Sequence, residues 1–448
     1  MKYDVIIIGA GPAGYVAAIR AAQTGLKTAL IEKNHLGGMC LNWGCIPTKA
    51  IIESAKMYRK VLTAADFGVE GVEPDKISFN WDKSKKRAQK IAMRLKAGIG
   101  FLMKKNGIEV ITGEAVIKSE NTVTVDNRTI ESSYIIIATG SYPAPATFVS
   151  NSDKVIQLDK LFEEKELAQH IVVYGRGAVA VEMTQFFNMI GKNVTLISPN
   201  QNIIPRVDTF LSDFALKTLK NRKVNLIISD KDATWDNGIL TIDNQNITCD
   251  TIINCSMRRA VLIKSEIAIK LNENGFIDTD DNFETNVKGI YAVGDVNGKS
   301  YLAHIASAQG LSVVNSIKGI KTDFNFDNFP INIYTSPEMS QIGKTEQALK
   351  EEGIDYKISQ FPLSANGKAQ TEGQSEGLIR LLSDNKYGQV LGVQIIADHA
   401  TDMIAEAAAY MQIEGTVYDV ASTMHAHPTV SEIFMEAGFE AIDKAIHQ

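Results

Sequence analysis

The stretch Val5-Ile-Ile-Ile-Gly9-Ala-Gly11-Pro-Ala-Gly14 places a short apolar run directly before three glycines at fixed spacing. The apolar run predicts a buried strand. The glycines allow a tight turn, a close approach of backbone to a ligand, and close packing of helix on strand. A second strand over 28–31 leads into Glu32, where a carboxylate can accept from ribose hydroxyls. This order predicts a βαβ unit that holds a nucleotide at a helix N-terminus.

A second stretch repeats the pattern from residue 171. Ile171-Val-Val-Tyr-Gly175-Arg-Gly177-Ala-Val-Ala180 is again a strand and a glycine-rich turn, with Ala180 as a tolerated replacement of the third glycine. Its second strand, over 194–198, ends in Ser198 where the ribose-binding acid is expected. Two such motifs in one chain indicate a flavin and a second nucleotide. The alternative for the second motif is a Rossmann layer that no longer binds.

Composition places the chain among ordinary globular proteins. The chain has 448 residues, 45% of them hydrophobic and 22% charged. Its net charge of −6 gives no electrostatic basis for binding nucleic acid. No apolar run approaches the roughly 20 residues of a membrane helix, and no signal peptide is recognisable. Four cysteines exclude a disulfide-rich secreted scaffold. We therefore expect a cytoplasmic protein without a membrane partner, in which a disulfide is more often catalytic than structural.

The arrangement of predicted elements indicates an α/β protein. Short apolar runs alternate with helical patterns through most of the first 300 residues, which is typical of parallel sheets. A long Lys-rich stretch over 49–106 predicts a pair of helices inserted between two parts of one sheet. After about residue 308, strand-like runs are followed by a helix over about 401–414. This change predicts a terminal α+β domain with an antiparallel sheet.

The stretch Gly37-Gly-Met-Cys40-Leu-Asn-Trp-Gly-Cys45-Ile-Pro-Thr-Lys49 contains two of the four cysteines. They can form a disulfide if the turn between them brings their Cα atoms within about 7 Å. The proline predicts an early helix position, which puts Cys45 near a helix N-terminus where its thiolate is stabilised. A zinc site needs further ligands, and His35 is the only neighbour, so we predict no metal. Two inert buried cysteines are the other alternative.

Two further motifs carry candidate polar groups. Asp295 follows a predicted strand and Gly294, where it can accept from hydroxyl groups of a ligand or simply cap a helix. His427 stands in His425-Ala-His427-Pro-Thr-Val-Ser-Glu432, and Glu432 can orient it as a carboxylate does in an acid–base pair. Dithiol chemistry needs such a base, whereas a lone histidine is more often structural.

Together these motifs resemble the flavin-dependent pyridine nucleotide–disulfide oxidoreductases over nearly the whole chain, and within them the dihydrolipoamide dehydrogenase group. The resemblance implies two Rossmann-like dinucleotide-binding domains, for FAD and NAD(P), and a C-terminal α+β dimerisation domain. The implied segments are 1–145 (FAD-binding, first part), 146–262 (NAD(P)-binding-like), 263–325 (FAD-binding, second part) and 326–448 (interface domain).

The resemblance also implies an activity, the oxidation of dihydrolipoamide by NAD⁺ through a Cys40–Cys45 disulfide in a homodimer. His427 of one subunit, held by Glu432, would deprotonate the dithiol bound at the disulfide of the other. Lys49, paired with Glu182, would lie near the flavin. Implied partners are a dihydrolipoyl group, free or on a carrier protein, and a 2-oxoacid dehydrogenase or related complex. The implied FAD-binding residues are Gly9, Gly11, Gly14, Glu32, Lys49, Gly113, Thr139, Gly140, Asp295 and Ala303, and the implied nicotinamide-binding residues are Gly175, Gly177, Ala180 and Ser198.

The sequence departs from the family pattern in the nicotinamide half. Ser198 replaces the acid, Arg176 stands in the glycine-rich loop, and the family's Gly-Arg-x-Pro-Asn segment reads Met257-Arg-Arg-Ala-Val261. We therefore hypothesise that the flavin and disulfide parts function while NAD recognition is altered. Two alternatives stay open. One is a related disulfide reductase that uses NADP, another electron partner or another thiol. The other is a flavin-loaded assembly subunit without turnover.

Overall fold

The computed structural model describes residues 2–145, 154–231, 233–236 and 238–447. The predicted boundary at residue 146 lies outside these residues, and the other domain limits stay predictions. Three sheets of eight, five and five strands dominate the described part. The family-level fold prediction, two Rossmann-like units and a terminal α+β unit, is confirmed.

The first part of the chain builds most of the eight-stranded sheet. Val5–Ile8 are all buried in its first strand, because α1 and α7 (Ala303–Ile317) cover one face of β1 and apolar residues of β4, β5 and β6 cover the other. The two helices predicted over 49–106 are present. The elements are β1 (Lys2–Ile8), α1 (Pro12–Gln23), β2 (Thr28–Glu32), α2 (Gly38–Asn42), α3 (Cys45–Leu62), α4 (Trp81–Lys105), β3 (Glu109–Thr112), β4 (Ala115–Ser119), β5 (Thr122–Val125), β6 (Arg128–Ile137) and β7 (Ser141–Pro143).

The second unit contains a five-stranded parallel sheet and a small antiparallel sheet. The parallel strands follow the order β11-β10-β9-β15-β8, and β16 pairs with β7 as a two-stranded link to the first unit. The elements are β8 (Val155–Gln157), β9 (His170–Gly175), α5 (Ala178–Met189), β10 (Asn193–Ser198), α6 (Thr209–Asn221), β11 (Asn225–Ile228), β12 (Thr234–Asp236), β13 (Ile239–Ile242), β14 (Gln245–Thr248), β15 (Thr251–Cys255) and β16 (Arg258–Ala260).

The chain then returns to the first sheet. It adds β17 (Lys264–Ser265), β18 (Ile290–Ala292) and the helix α7 (Ala303–Ile317). Strands β1, β2, β6 and β18 run parallel to one another. Their carboxyl ends therefore meet at one edge of the sheet, which is where ligands bind in α/β folds.

The last unit is the predicted antiparallel sheet covered by helices. Its strand order is β19-β20-β23-β22-β21, and Phe434 lies fully buried in its core. The elements are β19 (Ile331–Ile333), β20 (Glu338–Gly343), α8 (Glu346–Glu351), β21 (Tyr356–Pro362), α9 (Gly367–Thr371), β22 (Leu378–Asp384), β23 (Val390–Ala397), α10 (Ala400–Gln412), α11 (Val417–Ser422) and α12 (Glu432–Ile442). None of the helices within the described residues is long and apolar enough to cross a bilayer.

Candidate active site

The turn between β1 and α1 forms a cradle for a phosphate group. Gly9 has φ +103°, and a Cβ on Gly14 would collide with the carbonyl oxygen of Gly9. Both positions therefore require glycine. Gly11 is the N-cap of α1, and a Cβ there would meet nothing within 4 Å. The N–H groups at the start of α1 are thus open to an anion, as the sequence predicts.

Glu32 ends β2 beside this cradle. Its carboxylate accepts from the backbone N–H of Ala10 (2.7 Å) and of Asn34 (2.8 Å). These bonds fix the carboxylate next to the turn, where the sequence analysis expects a ribose. Gly113 follows β3 and donates its N–H to the Glu32 carbonyl (3.1 Å), so it lies at the same edge.

Asp295 lies in a short 3₁₀ helix, Gly294–Asn297, directly after β18. It accepts from the Ser141 hydroxyl (2.5 Å), and Arg258 Nε lies 3.7 Å from it. Burial raises the pKa of Asp295, although Ser141 and Arg258 oppose that shift. Arg258 also donates to the Ser141 hydroxyl (2.7 Å), and its Nη2 lies 2.9 Å from Met39 Sδ. The sequence analysis did not identify Ser141 or Arg258 as site residues, because β7 and β16 meet only in the folded chain.

The other predicted residues of this edge are also near the link to the second unit. Thr139 lies two residues beyond the end of β6, and its hydroxyl donates to the Val261 carbonyl (2.6 Å). Gly140 has φ +77° and accepts from Val261 N–H (2.9 Å). Ala303 is the first residue of α7. Each of them lies beside a strand end or a helix start that faces the same edge.

Cys40 and Cys45 form a disulfide. Cys40 is in α2, Cys45 is the first residue of α3, and their Cα atoms are 4.6 Å apart. The predicted position of Cys45 at a helix N-terminus is therefore confirmed, and the N-terminal dipole favours its thiolate over its thiol. Burial raises the pKa of the other two thiols, Cys249 and Cys255, to about 12. Cys249 follows β14 rather than lying in a strand, while Cys255 ends β15.

Lys49 connects the disulfide helix to both other units. Its Nζ lies 2.8 Å from Glu182 on α5 and 4.5 Å from the ring centre of Tyr334. Glu182 is only 2% exposed, and its second oxygen accepts from Tyr334 N–H (3.0 Å). A buried carboxylate needs such partners. The predicted Lys49–Glu182 pair is present one helical turn beyond Cys45.

His427 and Glu432 form the pair predicted from their spacing. His427 Nδ1 lies 2.9 Å from Glu432 Oε1, and Glu432 Oε2 accepts from Thr429 N–H (2.8 Å). Partial burial alone would raise the pKa of Glu432, but these two hydrogen bonds hold it below its usual value. Glu432 therefore stays anionic and fixes the proton on Nδ1, which leaves Nε2 as a base. The imidazole is 80% exposed, and Glu432 is its one hydrogen-bond partner among the described residues.

A second His–Glu pair lies beside the first. His425 Nε2 is 2.6 Å from Glu406 on α10, and the His425 ring stacks on Phe434. The hydrogen bond to Glu406 raises the pKa of His425. The sequence alone does not assign His425 a role, because Glu406 lies 19 positions away on another helix. This pair anchors the segment that carries His427.

The nicotinamide half has the glycine-rich turn of a dinucleotide-binding fold but lacks the acidic residue expected at the end of its second strand. Gly175 (φ +132°) packs on the backbone of Cys255, and Gly177 (φ +99°) is the open N-cap of α5, in which Ala180 is buried. Ser198 is fully buried, and its hydroxyl donates to the Asn200 carbonyl (2.9 Å). It therefore presents no charged acceptor to a ribose. Met257 follows the end of β15 and is 78% exposed.

The family models for pyridine nucleotide-disulphide oxidoreductase and for its dimerisation domain match residues 3–310 and 329–438. The chain belongs to this family. A dihydrolipoyl dehydrogenase of Bacillus subtilis is 36% identical to it over an alignment of 474 positions, gaps included, covering 100% of this chain and 99% of that protein. The human mitochondrial dihydrolipoyl dehydrogenase is 34% identical, covering 98% and 90%.

Solved structures of this oxidoreductase fold superpose closely. LpdA from Mycobacterium tuberculosis gives a TM-score of 0.89 at 22% identity, covering 97% of this chain and 99% of that one. A Cu(II) complex of RclA, an HOCl-induced flavoprotein disulfide reductase from Escherichia coli, gives 0.87 at 23%, covering 98% and 99%. At these identities the likeness shows the fold alone.

Membership in the oxidoreductase family implies FAD as the cofactor and a nicotinamide nucleotide as its partner. The first half fits FAD, because the open N-terminus of α1, the fixed Glu32 and the half-buried Asp295 meet at one sheet edge. The second half offers the open N-terminus of α5 but no acid at Ser198. Among the described residues, no group of three His, Cys, Asp or Glu side chains is placed to hold a metal ion.

The Asp295→Asn variant should lose flavin on purification. Asp295 and Glu32 are the two carboxylates described at this edge, and a charge-assisted hydrogen bond contributes about 1.5–3 kcal/mol. We expect the FAD dissociation constant to rise at least about tenfold, measured by equilibrium dialysis and flavin fluorescence. The control is Asp281→Asn, at an exposed position, which should keep its flavin. Equal flavin retention in both variants would contradict the assignment of Asp295.

Proposed function

We propose that this protein oxidises dihydrolipoamide to lipoamide and passes the electrons to NAD⁺ through the Cys40–Cys45 disulfide. The observation that carries this proposal is the disulfide itself, formed at the N-terminus of α3 in a FAD-binding fold. The full-length similarity to dihydrolipoyl dehydrogenases supports the choice of dithiol.

The thiol steps follow from the site geometry. His427, with Nε2 free, takes a proton from one thiol of the substrate. The resulting thiolate attacks Cys40 Sγ, the Cys40–Cys45 bond breaks, and Cys45 leaves as a thiolate stabilised at the start of α3. The second substrate thiol then attacks the substrate sulfur of the mixed disulfide, and its proton passes to the released Cys40 sulfur, which becomes a thiol. Lipoamide leaves with its own disulfide, and two electrons stay on the enzyme dithiol.

FAD, when bound, supplies the two-electron link from this dithiol to the nicotinamide nucleotide. Lys49 places a positive charge one turn from Cys45, and Glu182 and Tyr334 hold it there. The family match to a dimerisation domain supports a homodimer. In that dimer, the exposed His427 faces the disulfide of the other subunit.

A second candidate is favoured by the nicotinamide half. The Ser198 hydroxyl donates to the Asn200 carbonyl and Met257 stands where the family has glycine, so another electron acceptor fits these residues better than NAD does. This second candidate is a related disulfide reductase that uses NADP, a different electron partner or a different thiol. A flavin-loaded assembly subunit without turnover is the third, and it has no need of the thiol, the base or Lys49.

The test is anaerobic rapid mixing of the holoenzyme with dihydrolipoamide, and separately with NADH and NADPH, while the flavin absorbance is followed. Fast reduction by dihydrolipoamide and by NADH supports the proposal. Reduction by dihydrolipoamide but by neither nucleotide supports the second candidate. No response to dihydrolipoamide rejects it as the substrate.

The Met257→Gly variant should bind NADH more tightly than the wild type. Removing an exposed side chain beside the Gly175 turn opens the approach to the backbone. We expect the dissociation constant to fall about fivefold, or about 1 kcal/mol, in calorimetric titrations of the oxidised protein. Met257→Leu keeps the bulk and should leave the affinity unchanged. If both variants bind like the wild type, Met257 does not limit access.

We further propose that the dihydrolipoyl group reaches the site on a carrier protein, within a 2-oxoacid dehydrogenase or related complex. The relatives named dihydrolipoyl dehydrogenase support this partner class. Location in the cytoplasm stays a prediction that rests on cysteine usage. Co-purification of lipoylated proteins with the tagged chain, tested with and without reductant, addresses the partner directly.

A further inference from the structure

The outer face of α4 is a stripe of cations. Successive residues of an α-helix are about 100° apart, so the exposed positions of one face recur every three or four residues. The members of this cationic stripe are exposed and point within about 60° of one direction. They are Lys83, Lys86, Lys90, Arg94, Lys104 and Lys105, while Arg87 between them donates to the Ala50 carbonyl on α3 (2.9 Å).

Helix α4 concentrates positive charge, whereas the rest of the chain has a negative net charge. Helix α4 contains nine Lys and Arg residues and one acid, Asp82, so it carries +8 in a chain whose net charge is −6. The other residues therefore carry −14. Among the ion pairs of the described residues, Lys86–Asp82 (2.7 Å) is the only one that involves α4.

A solvated face without a partner is the simplest alternative reading, but it does not account for the pattern. Like charges three or four positions apart destabilise a helix by a few tenths of a kcal/mol per pair. Solvated helices usually mix Glu with Lys, which removes this cost. An anionic partner that binds the face compensates for the repulsion.

The stripe lies next to the disulfide segment. On its inner side, α4 packs against α2, with Ile99 and Met103 in one core cluster with Leu41, the residue after Cys40. Lys96 Nζ lies 3.2 Å from His35 Nδ1, just before α2. At this level the outer face is interrupted by Ala97, Gly98 and Phe101, all exposed. A macromolecule bound along the stripe is therefore held beside α2, the helix that carries Cys40.

We propose that the cationic stripe docks an acidic segment of the carrier protein that brings the dithiol, which rests on the function proposed above. Free dihydrolipoamide has no net charge and cannot use a surface that extends over about 33 Å, the helical rise from Lys83 to Lys105. Only a macromolecule can span these cations. Electrostatic docking raises the encounter rate of the dithiol with the disulfide without a tight complex.

Two other occupants fit less well. A nucleic acid would be repelled at long range by the acidic remainder of the chain. A second copy of this chain offers such an acidic surface and is the strongest competitor. Binding of a second copy through the stripe would enlarge the particle that the purified chain forms by itself. A docking site for a carrier would leave the size of that particle unchanged.

The test uses synthetic substrates. Dihydrolipoyl-lysine is placed in short acidic, neutral and basic peptides of equal length, and kcat/KM is measured with each and with free dihydrolipoamide. We expect the acidic peptide to exceed the neutral one about tenfold at low salt, and this advantage to vanish at about 1 M salt, where the screening length is about 3 Å. The double variant Lys83→Glu/Lys90→Glu should lose the advantage and keep its activity on free dihydrolipoamide.

A matched control is Lys217→Glu/Lys220→Glu, which reverses two exposed lysines on α6 and should keep the preference. Equal use of acidic and neutral peptides, or equal losses in both variants, overturns the docking site. A salt-sensitive change of particle size in the stripe variant alone assigns the face to a second copy and also overturns it. Fluorescence anisotropy with an acidic peptide that lacks the dithiol tests docking even if dihydrolipoamide is not a substrate, so the two proposals fail separately.

Discussion

Cys45→Ser should reduce dihydrolipoamide turnover by at least about 10⁴-fold, the scale of losses seen when an enzyme's nucleophile is removed. Without the Cys40–Cys45 bond, the substrate thiolate has no disulfide to attack, and its electrons have no route into the enzyme. Flavin content should stay near that of the wild type, because the cradle formed by Gly9, Gly11 and Glu32 is untouched. The measurement is steady-state turnover together with the flavin spectrum of the purified variant.

The same experiment has internal controls. Cys249→Ser and Cys255→Ser remove thiols whose pKa burial raises to about 12, so they are protonated at neutral pH and should change turnover less than about twofold. If Cys45→Ser kept substantial dithiol turnover, the disulfide would not be the redox centre. An intact biological role without turnover would favour the assembly-subunit alternative.

His427→Gln should lower turnover about 10³-fold near neutral pH, because general-base catalysis contributes about 10²–10⁴-fold. In the variant, the reaction depends on the small fraction of substrate that is already thiolate. At pH values below the pKa of the substrate thiol, that fraction rises tenfold per pH unit. The residual rate should therefore climb steeply between about pH 6 and pH 8, whereas the wild-type rate should change less. A pH series of kcat/KM for both proteins checks this.

Two further variants separate the role of the base from that of its neighbours. Glu432→Gln keeps the imidazole but removes the anion that orients it, so the loss should be smaller, about 10–100-fold. His399→Gln changes an exposed imidazole that pairs with Glu372 at 3.3 Å, and it should leave the rate unchanged. A pH profile of His427→Gln that parallels the wild type would contradict the role of His427 as base.

Local sequence was enough for the elements that depend on neighbouring residues. The run Val5–Ile8 and the spaced glycines determine β1, its turn and the start of α1, because strand burial and positive φ at Gly9 are properties of short segments. The same holds for Cys45 at the start of α3 and for the His427–Glu432 pair, whose members are five positions apart.

Contacts between distant segments could not be predicted in this way. Arg258 meets Ser141 and Asp295 only because β16 pairs with β7, and His425 meets Glu406 only because α10 packs beside the loop before α12. The residue types are visible in the sequence, but nothing in their spacing indicates the partner.

The sequence by itself determined the order of two nucleotide-binding folds, the redox cysteine pair and the loss of the acid at Ser198, since each is encoded within one short stretch. Only the tertiary structure decided that the Ser198 hydroxyl donates to the Asn200 carbonyl, that Glu182 and Tyr334 hold Lys49, and that α4, which carries the cationic stripe, packs against α2. The physical reason is that burial and charge proximity arise from packing between segments, while turn geometry and disulfide spacing arise within them.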